Sequence, residues 1–168
     1  MQPQYERERR FLVTERTVVD GHDGNTIVQA YLFAKDGYSI RVRRTHLPST
    51  TVGRRHDEGP AILTAKGPRV GGVREEYELE VPVAYALELV RRSVHKVVKT
   101  RYQLIEADRL WDVDVFHGDN EGLSIAECEG NGLAALRVPA WCGPEVTDDH
   151  RYDNENLAEN PYRNWGEW

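Results

Sequence analysis

The sequence predicts an α+β domain that is mainly β, an eight-stranded antiparallel barrel with peripheral helices. Three observations carry this reading. Strand-like stretches separated by turn residues recur along most of the 168 residues. Inside them charged residues stand two apart, so each stretch turns its charges to one face. Both signs of charge are present, and a closed sheet with a charged lumen accounts for all the stripes together. A barrel of that size holds side chains or one small ligand in its interior. The length suggests a single domain over residues 1–168.

The elements follow in order. Residues 5–13 read as a strand carrying Glu6-x-Glu8-x-Arg10 and then Phe11, Leu12 and Val13. A polar turn follows at Asp20-Gly21-His22-Asp23-Gly24. Residues 28–33 and 38–44 read as a hairpin about Lys35-Asp36-Gly37, and Ser39, Arg41 and Arg43 alternate with Tyr38, Ile40 and Val42. Residues 46–60 are rich in Pro, Thr, Gly and Arg and read as a loop. Strands are expected at 61–66 and 73–81, joined by a loop over 67–72. Residues 82–95 form the clearest helix, because Val83, Leu87, Val90 and Val94 recur at roughly helical spacing behind Pro82. Residues 97–104 and 109–116 pair about Glu106-Ala107-Asp108, and 123–129 is a last strand. A short helix is expected at 132–138, and a polar amphipathic one at 152–165 interrupted by Pro161.

Composition narrows the function. The chain is 30% charged with a net charge of −6, which argues against non-specific nucleic-acid binding through a global basic field. No apolar run of 18 or more residues is present, so no membrane helix is expected. The N-terminal residues lack the basic and apolar regions of a signal peptide. Cys128 and Cys142 are the only cysteines and read as ordinary thiols rather than a disulfide or zinc site. Together these features suggest a cytoplasmic protein.

If every stripe faces inward, the lumen holds Glu6, Glu8, Glu76, Glu78, Glu80, Asp112, Asp114, Glu127 and Glu129. It also holds Arg10, Arg41, Arg43, Lys66, Arg74, Lys99 and Arg101, so nine acids meet seven bases. Buried unpaired, each would cost several kcal/mol. Carboxylates without His or Cys at ligand spacing select hard ions, Mg²⁺ or Mn²⁺. Arg and Lys around a cavity select phosphate oxygens. A metal-bound polyphosphate satisfies both sets. The alternative is a sheet with one solvated, salt-bridged face, and periodicity does not decide which face is the lumen. His117 and His150 read as surface histidines, and Trp111, Trp141, Trp165 and Trp168 as packing or terminal residues.

At this point the residues resemble a known family. Glu6-Arg7-Glu8-Arg9-Arg10 resembles the ExExK signature of CYTH domains, also called triphosphate tunnel metalloenzymes. Ser39-Ile40-Arg41-Val42-Arg43, Leu63-Thr64-Ala65-Lys66-Gly67 and Arg74-Glu75-Glu76-Tyr77-Glu78 resemble its paired-arginine, lysine and acidic strands. Lys99-Thr100-Arg101-Tyr102, Asp112-Val113-Asp114 and Glu127-Cys128-Glu129 are similar to its later strands. Glu145-Val146-Thr147-Asp148-Asp149, with Arg151-Tyr152 and Asn154, resembles the C-terminal segment of bacterial members. One such motif is a weak signal, and the full ordered set over nearly the whole chain is a strong one.

The resemblance implies an eight-stranded tunnel acting on a triphosphate with Mg²⁺ or Mn²⁺. It implies Glu6, Glu8, Glu127 and Glu129 as metal ligands, with Asp114 and Glu78 as second choices. Arg10, Arg41, Arg43, Lys66, Arg74 and Arg101 would grip the phosphates. Lys99 is the residue proposed to position or deprotonate the attacking water. The expected partner is a small-molecule triphosphate, tripolyphosphate or a nucleoside triphosphate, and dimers occur in the family. The lead reading is a triphosphatase. The alternatives are a class IV adenylyl cyclase, which needs a base-binding pocket, and a non-catalytic nucleotide or polyphosphate binder. Arg10 stands where the signature has Lys. Arginine keeps the charge but does not deprotonate, so a role needing a neutral amine there is in doubt.

Overall fold

The computed structural model describes residues 4–48, 59–71 and 73–166. Most of the expected loop over 46–60, with Arg54, Arg55 and His56, lies outside the described residues, as does Trp168.

The described residues form ten strands: β1 (Gln4–Glu6), β2 (Glu8–Val13), β3 (Gly24–Lys35), β4 (Tyr38–His46), β5 (Ala61–Val70), β6 (Val73–Glu80), β7 (Lys96–Glu106), β8 (Arg109–His117), β9 (Ser124–Glu129) and β10 (Cys142–Glu145). Helix α1 spans Val83–Arg92 and α2 spans Asn154–Glu159. All strand pairs are antiparallel, in the order β1-β6-β5-β4-β3-β7-β8-β9-β2-β10. The two-residue turns are consistent with the sequence. Asp36 and Gly37 have φ of 53° and 80°, and Ala107 and Asp108 have 50° and 61°, as tight hairpins require.

Mainly antiparallel β structure with few helices is as expected, but the closed eight-stranded barrel is not. The sheet has ten strands and its hydrogen-bonded order is open. The expected first strand breaks at Arg7. Gln4–Glu6 pairs with β6, while Glu8–Val13 pairs with β9. Opposite ends of the sheet thus meet on consecutive residues, joined by the chain rather than by a ladder. β10 adds beyond β2. The helix expected at 132–138 is a single 3₁₀ turn, Leu133–Ala135. The one expected at 152–165 divides into α2 and a 3₁₀ turn, Tyr162–Asn164, behind Pro161.

Registers place the stripes on one face. Lys66 lies opposite Glu76, Glu6 opposite Arg74, Arg101 opposite Asp114, and Arg10 opposite Glu127. That face changes character along each strand. Val97, Lys99 and Arg101 share it, as do Phe116, Asp114 and Asp112, and Ile125, Glu127 and Glu129. Its apolar end forms a core of Tyr31, Val97, Phe116, Leu123, Ile125 and Leu157, the last from α2. α2 therefore seals one end of the concave side. On the outer side, α1 covers Ala30, Val42 and Ala61 with Ala86. Trp111, fully buried, packs against Phe11 and Trp141. No helix of the described residues is long and apolar enough to cross a membrane.

Candidate active site

The charged end of the concave face encloses a cavity of about 290 Å³. Of the residues expected there, Glu6, Glu8, Arg10, Arg41, Arg43, Lys66, Arg74, Glu76, Glu78, Lys99, Arg101, Asp112, Glu127 and Glu129 all line it. Asp114 does not line it and is 1% exposed, tied to Lys99 at 2.5 Å and Arg101 at 2.6 Å. Glu80 shares the face of Glu78 by register but is exposed and does not line the cavity. Among the described residues no aromatic ring lines the cavity, and Leu110 is its one aliphatic side chain.

The basic side chains are held by carboxylates. Lys66 Nζ donates to Glu6 at 2.8 Å and lies 3.4 Å from Glu76. Arg43 reaches Glu78 at 3.3 Å, and Arg41 lies 3.6 Å from Glu76. Arg101 spans Asp112, Asp114 and Glu127 at 2.6 to 2.7 Å. Burial opposes ionisation of Asp114, yet Arg101 and Lys99 hold its carboxyl well below the usual carboxylate range. Burial pulls the Lys99 ammonium below its usual range, with Asp114 opposing.

The acidic wall is different. Glu8 and Glu129 are directly opposed across the β2–β9 ladder, where like charges repel. Burial, and then the carboxylates of Glu127 and Glu6, push the Glu8 carboxyl up to about 7. Glu129 also rises, through burial and the charges of Glu6 and Glu76. Glu6 goes the other way, because Lys66, Arg41 and Arg69 together outweigh its burial. Among the described residues no three His, Cys, Asp or Glu side chains converge closely enough to hold an ion by themselves. Mg²⁺ uses one or two carboxylates and fills its shell with water and substrate phosphates. An opposed carboxylate pair on one wall, of which Glu8 is also met by Arg69 at 2.9 Å and Arg10 at 3.6 Å, fits that habit.

The C-terminal segment supplies residues that the stripes could not reveal. Asp153 lies 2.7 Å from Arg10, Asn154 accepts from Lys99 at 3.2 Å, and Glu155 lies 2.8 Å from Arg74. Gln4, Gln29 and Arg69 also line the cavity. The resemblance of 145–154 to the family's C-terminal pattern was the signal available for the first group. His150 touches Asp153 and His117 pairs with Thr100, so neither lines the cavity. Cys128 and Cys142 are both unpaired thiols.

No protein-family model matches the chain. It is 39% identical to an inorganic triphosphatase of Acetivibrio thermocellus over 165 residues, covering 96% of this chain and 98% of that protein. It is 30% identical to an inorganic triphosphatase of Nitrosomonas europaea over 160 residues, covering 91% and 96%. A solved inorganic triphosphatase structure superposes with a TM-score of 0.63 at 31% identity, covering 91% of this chain and 93% of that one. A putative adenylate cyclase from Bacillus halodurans shares the fold at a TM-score of 0.52 and 16% identity, covering 83% of this chain and 95% of that one. With the ordered charged strands now gathered around one cavity, the chain belongs to the CYTH, or triphosphate tunnel, family.

Proposed function

We propose that this protein hydrolyses a phosphoanhydride bond of a linear triphosphate, with inorganic tripolyphosphate as substrate and Mg²⁺ or Mn²⁺ as cofactor. The observation that carries the reading is one cavity in which an array of Arg and Lys surrounds a directly opposed carboxylate pair, Glu8 and Glu129. The two relatives named as inorganic triphosphatases support it. The lack of an aromatic ring among the described residues that line the cavity favours a bare polyphosphate over a nucleotide, whose base stacks on such rings.

Glu8 and Glu129, with Glu6 and Glu127 beside them, are the residues that would hold the metal. Bound there, the ion would shield phosphate charge and acidify a water. Arg41, Arg43, Lys66, Arg74 and Arg101 grip phosphate oxygens and offset the charge that spreads in the transition state. Lys99 donates a proton-bearing Nζ toward the reacting phosphate or its attacking water. Asp114 acts through the cations it holds, fixing Lys99 and Arg101, and Glu78 aligns Arg43. Arg10 completes the floor of the cavity.

The test is phosphate release from tripolyphosphate, ATP, GTP and thiamine triphosphate with each metal, beside a cyclic-AMP assay and a Glu8→Gln, Glu129→Gln control. Metal-dependent release from tripolyphosphate that the control abolishes is expected. Cyclic AMP with pyrophosphate would replace this reading with the cyclase. Binding without turnover would make the protein a polyphosphate-binding module.

A further inference from the structure

On β5, Thr64 and Lys66 face the cavity side of the sheet, opposite Glu78 and Glu76. Strict alternation would next turn Pro68 inward and Arg69 outward. The ladder prevents this. Lys66 pairs with Glu76 and Arg69 pairs with Arg74, so three steps on β5 oppose two on β6. Such a bulge re-aims the side chains that follow it. Directly opposed residues share a face, and Arg69 therefore enters the cavity beside Arg74.

There Arg69 is incompletely satisfied. Its Nη2 donates to Glu8 Oε1 at 2.9 Å. Its Nη1 is buried and has no hydrogen-bond partner among the described residues. Arg74 is already anchored through its Nε and Nη2, by the Gly67 and Gly37 carbonyl oxygens at 2.7 and 3.0 Å and by Glu155 at 2.8 Å. Two guanidiniums opposed on neighbouring strands repel, and a buried donor without an acceptor is costly. An anion at this corner answers both.

We propose that Arg69 is a further substrate-binding residue, with Nη1 donating to a phosphate oxygen of the triphosphate while Nη2 keeps its bond to Glu8. The inference rests on the triphosphate reading above. Arg69 then ties the phosphate chain directly to the acidic wall. A guanidinium suits this, because its fork serves two acceptors at once in fixed geometry.

The experiment compares wild type with Arg69→Gln and Arg69→Lys. Three quantities are read: kcat and KM for tripolyphosphate, metal-free binding of tripolyphosphate by calorimetry, and melting temperature. Arg69→Gln is expected to raise KM by about 10- to 100-fold, the range for a hydrogen bond to a charged group, with a smaller change in kcat. Metal-free binding should weaken in parallel. Arg69→Lys, which keeps the charge but not the fork, should recover part of the loss. KM and binding within twofold of wild type, with only a lower melting temperature, would overturn the inference and leave Arg69 as a neutraliser of Glu8. If Arg69→Gln does not fold, an unchanged KM in Arg69→Lys overturns it equally. A wild-type protein that neither binds nor hydrolyses tripolyphosphate would overturn the triphosphate reading and this inference together.

Discussion

Arg10 and Asp153 meet at 2.7 Å on the floor of the cavity, and the same guanidinium donates to the carbonyl oxygens of Thr147 and Tyr152. A residue from the second strand thus fastens the C-terminal segment that seals one end of the site. The arginine in the signature's lysine position gains a physical role here. A lysine has one nitrogen and cannot span those acceptors together.

Arg10→Lys should therefore lower stability, by about 1–3 kcal/mol for the hydrogen bonds it cannot replace. Triphosphatase activity should persist, since the charge stays. Chemical denaturation, read beside phosphate release, checks both parts. Equal losses of stability and turnover would mean that position 10 is also a direct phosphate ligand.

Glu8 makes the metal-free protein pH-sensitive. Its carboxyl is raised from 4.5 to about 7, so the folded state keeps a proton that the unfolded chain releases. Stability then falls as pH rises from about 4.5 to 7. Glu129, also raised, acts in the same direction. The metal-free protein should melt lower at pH 7.5 than at pH 5.5, and Glu8→Gln should flatten that difference. Added Mg²⁺ or Mn²⁺ should raise the melting temperature more at pH 7.5, because the ion competes with the proton. Calorimetric scans with and without chelator decide this.

Lys99→Met should abolish most turnover, by about 100-fold or more for a lost positively charged donor at the reacting centre. It should cost less stability than Asp114→Asn. The methionine variant leaves Asp114 held by Arg101, whereas the asparagine variant takes the carboxylate from the buried Lys99 ammonium while Arg101 keeps Asp112 and Glu127, a loss on the order of 3–5 kcal/mol. Matched activity and unfolding measurements on the two variants separate chemistry from charge balance.

Leu157 is fully buried against Tyr31, Val97 and Phe116. Leu157→Ala should destabilise by about 2–5 kcal/mol. It should also loosen α2, opening the sealed end of the cavity. Limited proteolysis should then cut near residue 153, and tripolyphosphate should protect the chain less than it protects wild type.

Much of the site was legible before any fold was known. Charges two apart share a face in any strand, so the stripes from Glu6 to Glu129 announced a common charged surface, and nearly all of them line one cavity. Turn chemistry placed the hairpins at Asp36-Gly37 and Ala107-Asp108. Arg69 was hidden because Gly67-Pro68 made 67–72 read as a loop, where β5 in fact continues through a bulge that parity does not foresee, and parity says nothing of residues outside strands, which hid Asp153 and Glu155.

The sequence by itself determined most of the strands, the side of each that carries its charged stripe, and the family likeness, but not β10 or the end of β5, which read as a loop. These depend on neighbours one to four residues away, through backbone geometry and side-chain alternation. Only the tertiary structure decided that the first strand divides at Arg7 between two distant partners. It alone decided that a bulge turns Arg69 inward, that Asp114 lies behind the cavity wall, and that α2 fills the apolar end. Each of these outcomes depends on ladder pairing and burial between residues up to the whole chain apart, where desolvation and ion pairing, not local propensity, select among arrangements the sequence pattern permits equally.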